Sequence, residues 1–372
     1  MTAPALVTLT GDGTFRWVEP GPDAAGTDAA EDARLGALMR LAGLLGDDLE
    51  DQVATRMTLP AALGTEAADH LLPASLALLA GTTGDLAGYG WRVGPGAGRA
   101  WHRARELRER TLEAARLALL HRTGPVTTTT LGPVTIAAAT FLGTGERTLS
   151  DPGALRDLPT VLADGVAEHV RALRAQVPGA EPTLLLREDA VRPVLEGRIT
   201  TPSGYRRYAP LPAPRIGELW QRFLSDLAGT EQIPRESVTL TVGSDPDLLQ
   251  AARDAGARRL ALSPAVIGPL RGGRSRQIWE RIAEAHEDRV ALEMIVDPAR
   301  LGRDLDILAA AWTQLGYAMG SLAGTTLIAH HPGALAAAAD PAAEPAPTAL
   351  LDEAGIQQLL RTGPAWAERV QG

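Results

Sequence analysis

The sequence contains no cysteine, no lysine and no asparagine among its 372 residues, so its 36 Lys+Arg side chains are all arginines. Without cysteine the chain has no disulfide, no thiol nucleophile and no thiolate ligand for a metal. Without lysine it has no Schiff-base amine and no P-loop lysine for a nucleotide phosphate. These absences exclude several kinds of nucleophile, cofactor and metal chemistry.

Long hydrophobic runs are also missing. No run reaches the roughly eighteen apolar residues that a membrane helix needs, and residues 1–13 lack a basic region followed by an apolar one. The composition, 45% hydrophobic and 22% charged, is that of a globular protein. A net charge of −9 and a pI near 5.4 disfavour a nucleic-acid partner. We therefore expect a soluble, cytoplasmic protein with neither a nucleic-acid nor a membrane partner.

Short apolar or β-branched runs, bounded by Gly or Pro, alternate with helical patterns along the chain. Such runs are typical of parallel strands that are buried on both faces. The candidate strands are 4–10, 85–91, 125–131, 182–187, 237–243, 258–263, 289–296 and 324–329. Eight strands alternating with helices predict an α/β fold, a (β/α)8 TIM barrel. A doubly wound open sheet is the alternative, but no G-x-G-x-x-G follows an early strand.

The chain is long for one barrel, since about 250 residues is typical. Residues 11–30 predict a long loop after the first strand. Residues 340–348, DPAAEPAPT, are typical of a linker. We expect a single barrel domain at 1–339, this linker, and a C-terminal helical segment at 349–372, formed by two short helices.

Residues 178–205 carry a distinctive order of features. A buried strand runs into Glu188, a short helix ends at Gly197, and a Pro-Ser-Gly-Tyr turn follows at 202–205. This order resembles the cobalamin-independent methionine synthase family, in particular the short single-barrel members related to its C-terminal catalytic half. The Gly-Tyr-Gly-Trp-Arg segment at 88–92 and the Gly-Pro-Val-Thr-Ile-Ala segment at 132–137 are similar to the family as well. The resemblance implies a barrel with its site at the C-terminal ends of the strands.

The same comparison shows where this chain departs from the family. The family has Asp where this chain has Arg187, and Pro where it has Asp189. In the family, zinc held by His-x-Cys, a carboxylate and a later Cys turns homocysteine into a thiolate that attacks methyltetrahydrofolate. At those places this chain has Thr-Val-Gly-Ser at 241–244, Ser-Pro at 263–264 and His-His-Pro-Gly at 330–333. Zinc is thus the cofactor that the resemblance implies, but its ligands are absent and we expect no cofactor.

Two functions from different classes remain open. The first is a divergent methionine synthase-like protein that cannot transfer a methyl group from methyltetrahydrofolate to homocysteine, and that acts as a binding or regulatory protein. A protein partner or a small anionic or folate-like ligand would suit that role. The alternative is a methyltransferase-related enzyme with an altered active site at the C-terminal mouth of the barrel. One fold can support unrelated functions, so the predicted barrel does not decide between these two.

Candidate residues follow from position and chemistry. The catalytic candidates are Arg187, Glu188 and His330. The substrate-binding candidates are Trp91, Arg187, Ser203 and Tyr205. We expect no metal site; the weaker alternative is a replacement site formed by His330, His331 and Asp245. We expect Arg187, Ser244, Ser263 and His330 at the C-terminal rim. A buried Arg187 must either pair with Glu188 or Asp189, which would make the site closed and ligand-free, or form an open anion pocket, because an unpaired guanidinium is costly to bury.

Overall fold

The computed structural model describes residues 5–17, 29–46, 52–230, 232–331 and 350–371. Its strands within these ranges are β1 (Val7–Gly11), β2 (Val53–Thr55), β3 (Met57–Thr58), β4 (Thr83–Ala87), β5 (Gly90–Gly94), β6 (Gly124–Leu131), β7 (Ala180–Arg187), β8 (Val238–Thr241), β9 (Arg259–Leu262), β10 (Ala291–Val296) and β11 (Thr325–Ala329). The strands β4 and β5 form an antiparallel hairpin. The other nine segments form one parallel sheet in the order β2-β1-β11-β10-β9-β8-β7-β6-β3.

This sheet closes on itself. Its two ends, β2 and β3, are separated in the chain by Arg56 alone, so they act as one interrupted strand that pairs with β1 on one side and β6 on the other. The backbone N–H of Arg56 donates to the carbonyl of Leu9, and the Thr10 hydroxyl donates to the Arg56 carbonyl. The result is an eight-stranded parallel barrel, which confirms the predicted (β/α)8 fold.

One predicted strand is wrong. Residues 85–91 lie in the β4–β5 hairpin, and the second barrel strand is instead 53–58, which the periodicity missed. Arg56 lies in the middle of this segment and interrupts its apolar pattern. The free-energy cost of burying Arg56 is offset by its hydrogen bonds to Glu293, which is distant in the sequence. The other seven predicted strands overlap barrel strands.

Helices follow the strands around the barrel. They are α1 (Ala29–Leu45), α2 (Leu71–Leu76), α3 (Arg99–Ala118), α4 (Pro133–Ala139), α5 (Pro152–Gln176), α6 (Val191–Leu195), α7 (Ala213–Gly229), α8 (Pro246–Asp254), α9 (Pro264–Ile267), α10 (Gly273–Glu287), α11 (Leu301–Gln314) and α12 (Glu353–Gln371). No helix in the described ranges is long and apolar enough to cross a membrane.

Of the predicted loop, linker and C-terminal segment, the structure describes most of the last and part of the first. A long connection leads from β1 to α1, as expected, and its residues 18–28 lie outside the described residues, as does the predicted linker at 340–348. The C-terminal segment forms one helix, α12, where two short helices were expected. This helix packs on β1: a Cβ added at Gly363 would lie 2.6 Å from Cδ1 of Leu9.

The barrel interior carries charge below an apolar layer. Glu293, fully buried, accepts hydrogen bonds from Arg56 and Arg259. Burial by itself raises the pKa of Glu293, but the two guanidinium groups outweigh it and lower the pKa below its usual value. Side chains alternate along a strand, so Ala261 and Ile295 lie one layer nearer the C-terminal ends. With Leu185 and Ile328 they form an apolar cluster, which is the floor of the site described next.

Candidate functional site

The four residues predicted for the C-terminal rim meet at one cavity. Arg187, Ser244, Ser263 and His330 all line a space of about 250 Å³ at the C-terminal mouth of the barrel. This confirms their predicted placement. In (β/α)8 enzymes this mouth is where active sites are built.

The cavity has an apolar floor and polar walls. Leu185, Ala261, Ile295 and Ile328 form the floor. Its polar lining includes the hydroxyl groups of Thr241, Ser244 and Ser263. The lining also carries ionisable groups, from Asp12, Arg187, Glu188, Asp189, Arg192, Arg198 and His330. The cavity is therefore suited to a small molecule with both a hydrocarbon part and polar groups.

Asp12 and His330 lie side by side in the cavity lining. Because Gly11 and Ala329 are paired in the β1–β11 ladder, the residue that follows each strand emerges at the same place. The Nδ1 atom of His330 lies 2.5 Å from Oδ2 of Asp12, and both side chains are buried. A carboxylate at that distance holds the proton of a neutral imidazole on Nδ1. The other ring nitrogen, Nε2, is buried and has no hydrogen-bond partner in the part of the chain that the structure describes.

Asp12 is fixed by further contacts. Its Oδ1 accepts hydrogen bonds from the Thr14 backbone N–H at 2.9 Å and the Thr14 hydroxyl at 2.7 Å. Burial would raise the pKa of Asp12, but His330, Arg187 and Thr14 together outweigh burial and lower it to about 2. The turn needs Gly13, which has φ +84° and whose added Cβ would lie 2.1 Å from Oγ1 of Thr129. Asp12 is therefore an ionised partner for His330, and its carboxylate is held by the Thr14 hydrogen bonds.

Arg187 is paired inside the protein. Its Nη2 lies 2.8 Å from Oδ2 of Asp189, its Nε lies 3.3 Å from Oδ1 of the same residue, and its Nη1 lies 3.4 Å from Oδ2 of Asp12. Of the two arrangements predicted for Arg187, the structure has the internal pair. The cavity nevertheless remains open beside that pair. Sequence reasoning associated this pairing with a closed site, and in that respect the expectation was wrong.

The carboxylate of Glu188 is hydrogen-bonded to groups other than Asp12, Arg187 and His330. Its carboxylate accepts hydrogen bonds from the backbone N–H groups of Val134 and Thr135, the Thr135 hydroxyl and the Trp220 indole N–H. Burial raises the pKa of Glu188 to about 7, against the effect of these donors. An added Cβ at Gly132 would lie 2.3 Å from the carboxyl carbon. These contacts join the carboxylate of Glu188 to α4 and α7, whereas His330 and Arg187 share Asp12.

The remaining candidates lie away from the cavity lining. Trp91 is buried in β5, and Ser203 and the 94% exposed Tyr205 lie in a surface loop. Asp245 caps α8 through the N–H groups of residues 247 and 248 and pairs with Arg274. Among the described residues no three His, Asp or Glu side chains are grouped as a metal site requires, so His330, His331 and Asp245 do not form one there.

Asp12 is the site residue that sequence reasoning missed as a candidate. Its signal was an acidic residue flanked by two glycines, directly after the first strand. That position places a carboxylate at the mouth of any (β/α)8 barrel. What the sequence did not reveal is which of the other mouth residues it would contact.

Comparisons with known proteins add only distant structural likenesses. No protein-family model and no curated protein matches the chain. The carboxyl transferase domain of Rhizobium etli pyruvate carboxylase, solved with 3-bromopyruvate, is 12% identical over 70% of this chain and 43% of that one, with a TM-score of 0.28. The complete multifunctional pyruvate carboxylase from Rhizobium etli is 10% identical over 96% of this chain and 30% of that one, also with a TM-score of 0.28. The chain thus spans less than half of either protein.

The fold class rests on the closed parallel sheet itself, which makes the protein a (β/α)8 barrel. The resemblance to the cobalamin-independent methionine synthase family stays a prediction.

Proposed function

We propose that this chain is a divergent barrel of the cobalamin-independent methionine synthase type that binds a small molecule at its mouth and has lost zinc-dependent methyl transfer. The observation that carries the proposal is the cavity of about 250 Å³ at the C-terminal mouth, with its apolar floor and polar walls. In this proposal the protein acts by binding, as a binding or regulatory protein.

The donor atoms at the mouth do not fit a zinc site. Where the resemblance would put zinc ligands, the cavity is lined by Thr241, Ser244, Ser263 and His330. Zinc in proteins takes thiolate sulfur, imidazole nitrogen and carboxylate oxygen, and structural or catalytic sites need at least three such ligands. The hydroxyl groups are not of this kind, and Nδ1 of His330 is engaged by Asp12. We therefore propose that the site works without zinc.

The arginines around the cavity are paired with acids, so they do not require a highly charged ligand. Arg187 is balanced by Asp189 and Asp12, so its guanidinium does not by itself demand an anion. At the rim, Arg192 and Arg198 both pair with Glu196. A volume of about 250 Å³ lies below the range of roughly 300 to 1,000 Å³ of pockets that enclose drug-sized ligands. A folate would have to leave part of itself outside the mouth, so a small organic acid or amino acid is the better fit.

A thermal-shift screen with a blocked cavity tests this proposal. The probes are 5-methyltetrahydrofolate, homocysteine, methionine and small organic acids, including 2-oxobutyrate. A ligand that binds the folded protein raises its melting temperature. Ser263→Phe fills the cavity without removing a helix cap, because the Ser263 side chain makes no capping hydrogen bond to α9. Ser203→Phe, in the exposed loop, is the matched control.

We expect at least one probe to raise the melting temperature of the wild type and of Ser203→Phe, but not of Ser263→Phe. A shift that survives in Ser263→Phe, or no shift with any probe, contradicts the binding proposal. Elemental analysis of the purified protein checks the metal separately. About one zinc per chain after dialysis, lost on substitution of His330 and His331 by alanine, contradicts the zinc-free site.

A further inference from the structure

We propose that the mouth is also a catalytic site, in which His330, positioned by Asp12, removes a proton from a small carbonyl compound whose oxygen is held by Arg187. This inference rests on the proposed function in one respect, because it uses the same cavity. It goes beyond binding, since it assigns a reaction and a role to each of three residues.

His330 is held in one orientation by the contacts around it. One ring nitrogen faces the Asp12 carboxylate at 2.5 Å, and Asp12 is itself held by two hydrogen bonds from Thr14. The backbone N–H of His330 also donates to the Val296 carbonyl at 3.0 Å. A histidine held in this way by a carboxylate keeps one tautomer. The lone pair of its Nε2 then points away from the carboxylate, as a general base requires.

The Nε2 atom of His330 has an unmet capacity for a hydrogen bond. This atom is buried and lacks a hydrogen-bond partner in the described ranges, while its side chain lines the cavity. A buried polar atom left without a partner costs free energy, and such atoms in native proteins call for a physical explanation. A ligand in the cavity that offers a proton to Nε2 supplies one.

The guanidinium of Arg187 lies next to His330. A guanidinium has five N–H bonds, and three of those on Arg187 are directed at Asp189 and Asp12. Two N–H bonds, on Nη1 and Nη2, have no partner in the part of the chain that the structure describes. Arg187 and His330 both contact Oδ2 of Asp12, so a cation lies beside the base. That combination suits a substrate whose oxygen becomes negative as its carbon loses a proton.

The proton transfer balances without a cofactor. A C–H bond next to the substrate carbonyl breaks, and its electron pair forms an enolate whose oxygen accepts hydrogen bonds from Arg187. The proton forms a new N–H bond at Nε2 of His330, and the Nδ1–H bond stays directed at Asp12. The negative charge of Asp12 stabilises the resulting imidazolium. Return of a proton to carbon completes the cycle, while the apolar floor holds the hydrocarbon end of the substrate.

Exchange of carbon-bound hydrogen for deuterium tests the reaction directly. The probe is 2-oxobutyrate in D₂O, followed by proton NMR, because its CH₂ hydrogens adjoin the ketone. A positioned general base contributes about 10² to 10⁴ in rate, so we expect His330→Gln to exchange about 100-fold more slowly than the wild type. His121→Gln changes an exposed histidine and is expected to match the wild type. Exchange no faster than in buffer, or equal in His330→Gln, overturns the proposal.

Imidazole NMR distinguishes a base from a structural histidine. Long-range ¹H–¹⁵N correlations, assigned with the His330→Gln variant, should show the proton of the neutral ring on Nδ1 in the wild type and a changed tautomer population in Asp12→Asn. A ring protonated on Nε2 in the wild type contradicts the assigned role. Failure of this inference is distinguishable from failure of the proposed function. If 2-oxobutyrate stabilises the wild type but not Ser263→Phe and is not exchanged, binding stands and the base does not; if no probe stabilises either protein, binding itself fails.

Discussion

The Oδ2 atom of Asp12 lies 2.5 Å from Nδ1 of His330, although the two residues are 318 positions apart in the sequence. Closure of the barrel brings them together, because β1 and β11 are neighbours in the sheet and each residue directly follows its strand. The pair therefore exists only when the first and last barrel strands are joined. Its integrity should report on the completed fold as well as on the site.

The first prediction concerns how the free energy of unfolding changes with pH in the acid range. The pKa of Asp12 is about 2 in the folded protein, against an ordinary value of 3.8. A lowered pKa contributes stability that is present above about pH 4 and is lost as the pH falls through 2. The shift corresponds to about 2 kcal/mol. Between pH 5 and pH 2, we expect the free energy of unfolding of the wild type to fall by about 2 kcal/mol more than that of Asp12→Asn, as measured by urea denaturation.

Asp306→Asn is the control for this comparison. Asp306 forms an exposed ion pair with Arg369, with 68% of the Asp306 side chain exposed. Exposed pairs of this kind contribute about 0 to 1 kcal/mol. Equal acid slopes in the wild type and Asp12→Asn would show that Asp12 does not titrate with the fold.

Particular residues show how far the sequence predicts this protein. Seven barrel strands and the rim positions of Arg187 and His330 follow from local runs and their order. The strand at 53–58 does not, because the cost of burying Arg56 is met by Glu293, 237 residues away. The hydrogen bonds of the Glu188 carboxylate could not be predicted from the sequence either, because their donors come from α4 and from Trp220 on α7. Position along a barrel strand is local information, whereas the pairing of buried charges is set by contacts across the barrel.

Charge reversal at Arg187 is the second prediction. Arg187→Asp would place a third carboxylate beside Asp12 and Asp189, and it would remove the cation that both contact. Breaking a buried ion pair by removing one partner costs about 3 to 5 kcal/mol. We expect a loss of that size in the free energy of unfolding measured with urea. Arg206→Asp, in the exposed loop, should change it by about 0.5 kcal/mol or less. Similar stability of the two variants would mean that Arg187 is solvated.

The turn at Gly13 gives the third prediction. Gly13 and Gly81 both have positive φ, +84° and +64°, but only Gly13 faces a close neighbour: an added Cβ would lie 2.1 Å from Oγ1 of Thr129, while no atom lies within 4 Å at Gly81. Forcing a non-glycine residue into this backbone region costs about 1 to 2 kcal/mol, and overpacking adds about 1 to 3 kcal/mol. Chemical denaturation should therefore find Gly13→Ala less stable than Gly81→Ala by about 1 to 3 kcal/mol. Equal losses would show that the turn can move away from Thr129.

The charged layer beneath the floor gives the last prediction. Glu293 is the shared partner of Arg56 and Arg259, and Arg56 is almost as deeply buried as Glu293. Glu293→Gln keeps the shape but removes the negative charge, so two guanidinium groups inside the barrel would lack a counter-ion among the described residues. We expect the free energy of unfolding to fall by about 3 to 5 kcal/mol. Glu280→Gln removes the same charge from an exposed pair with Arg276 and should cost about 1 kcal/mol or less. Equilibrium denaturation of the two variants decides the matter. A loss in Glu293→Gln no larger than in Glu280→Gln would mean that water reaches the interior below Ala261 and Ile295. The floor of the cavity would then not be the dry apolar layer on which the proposed ligand site depends.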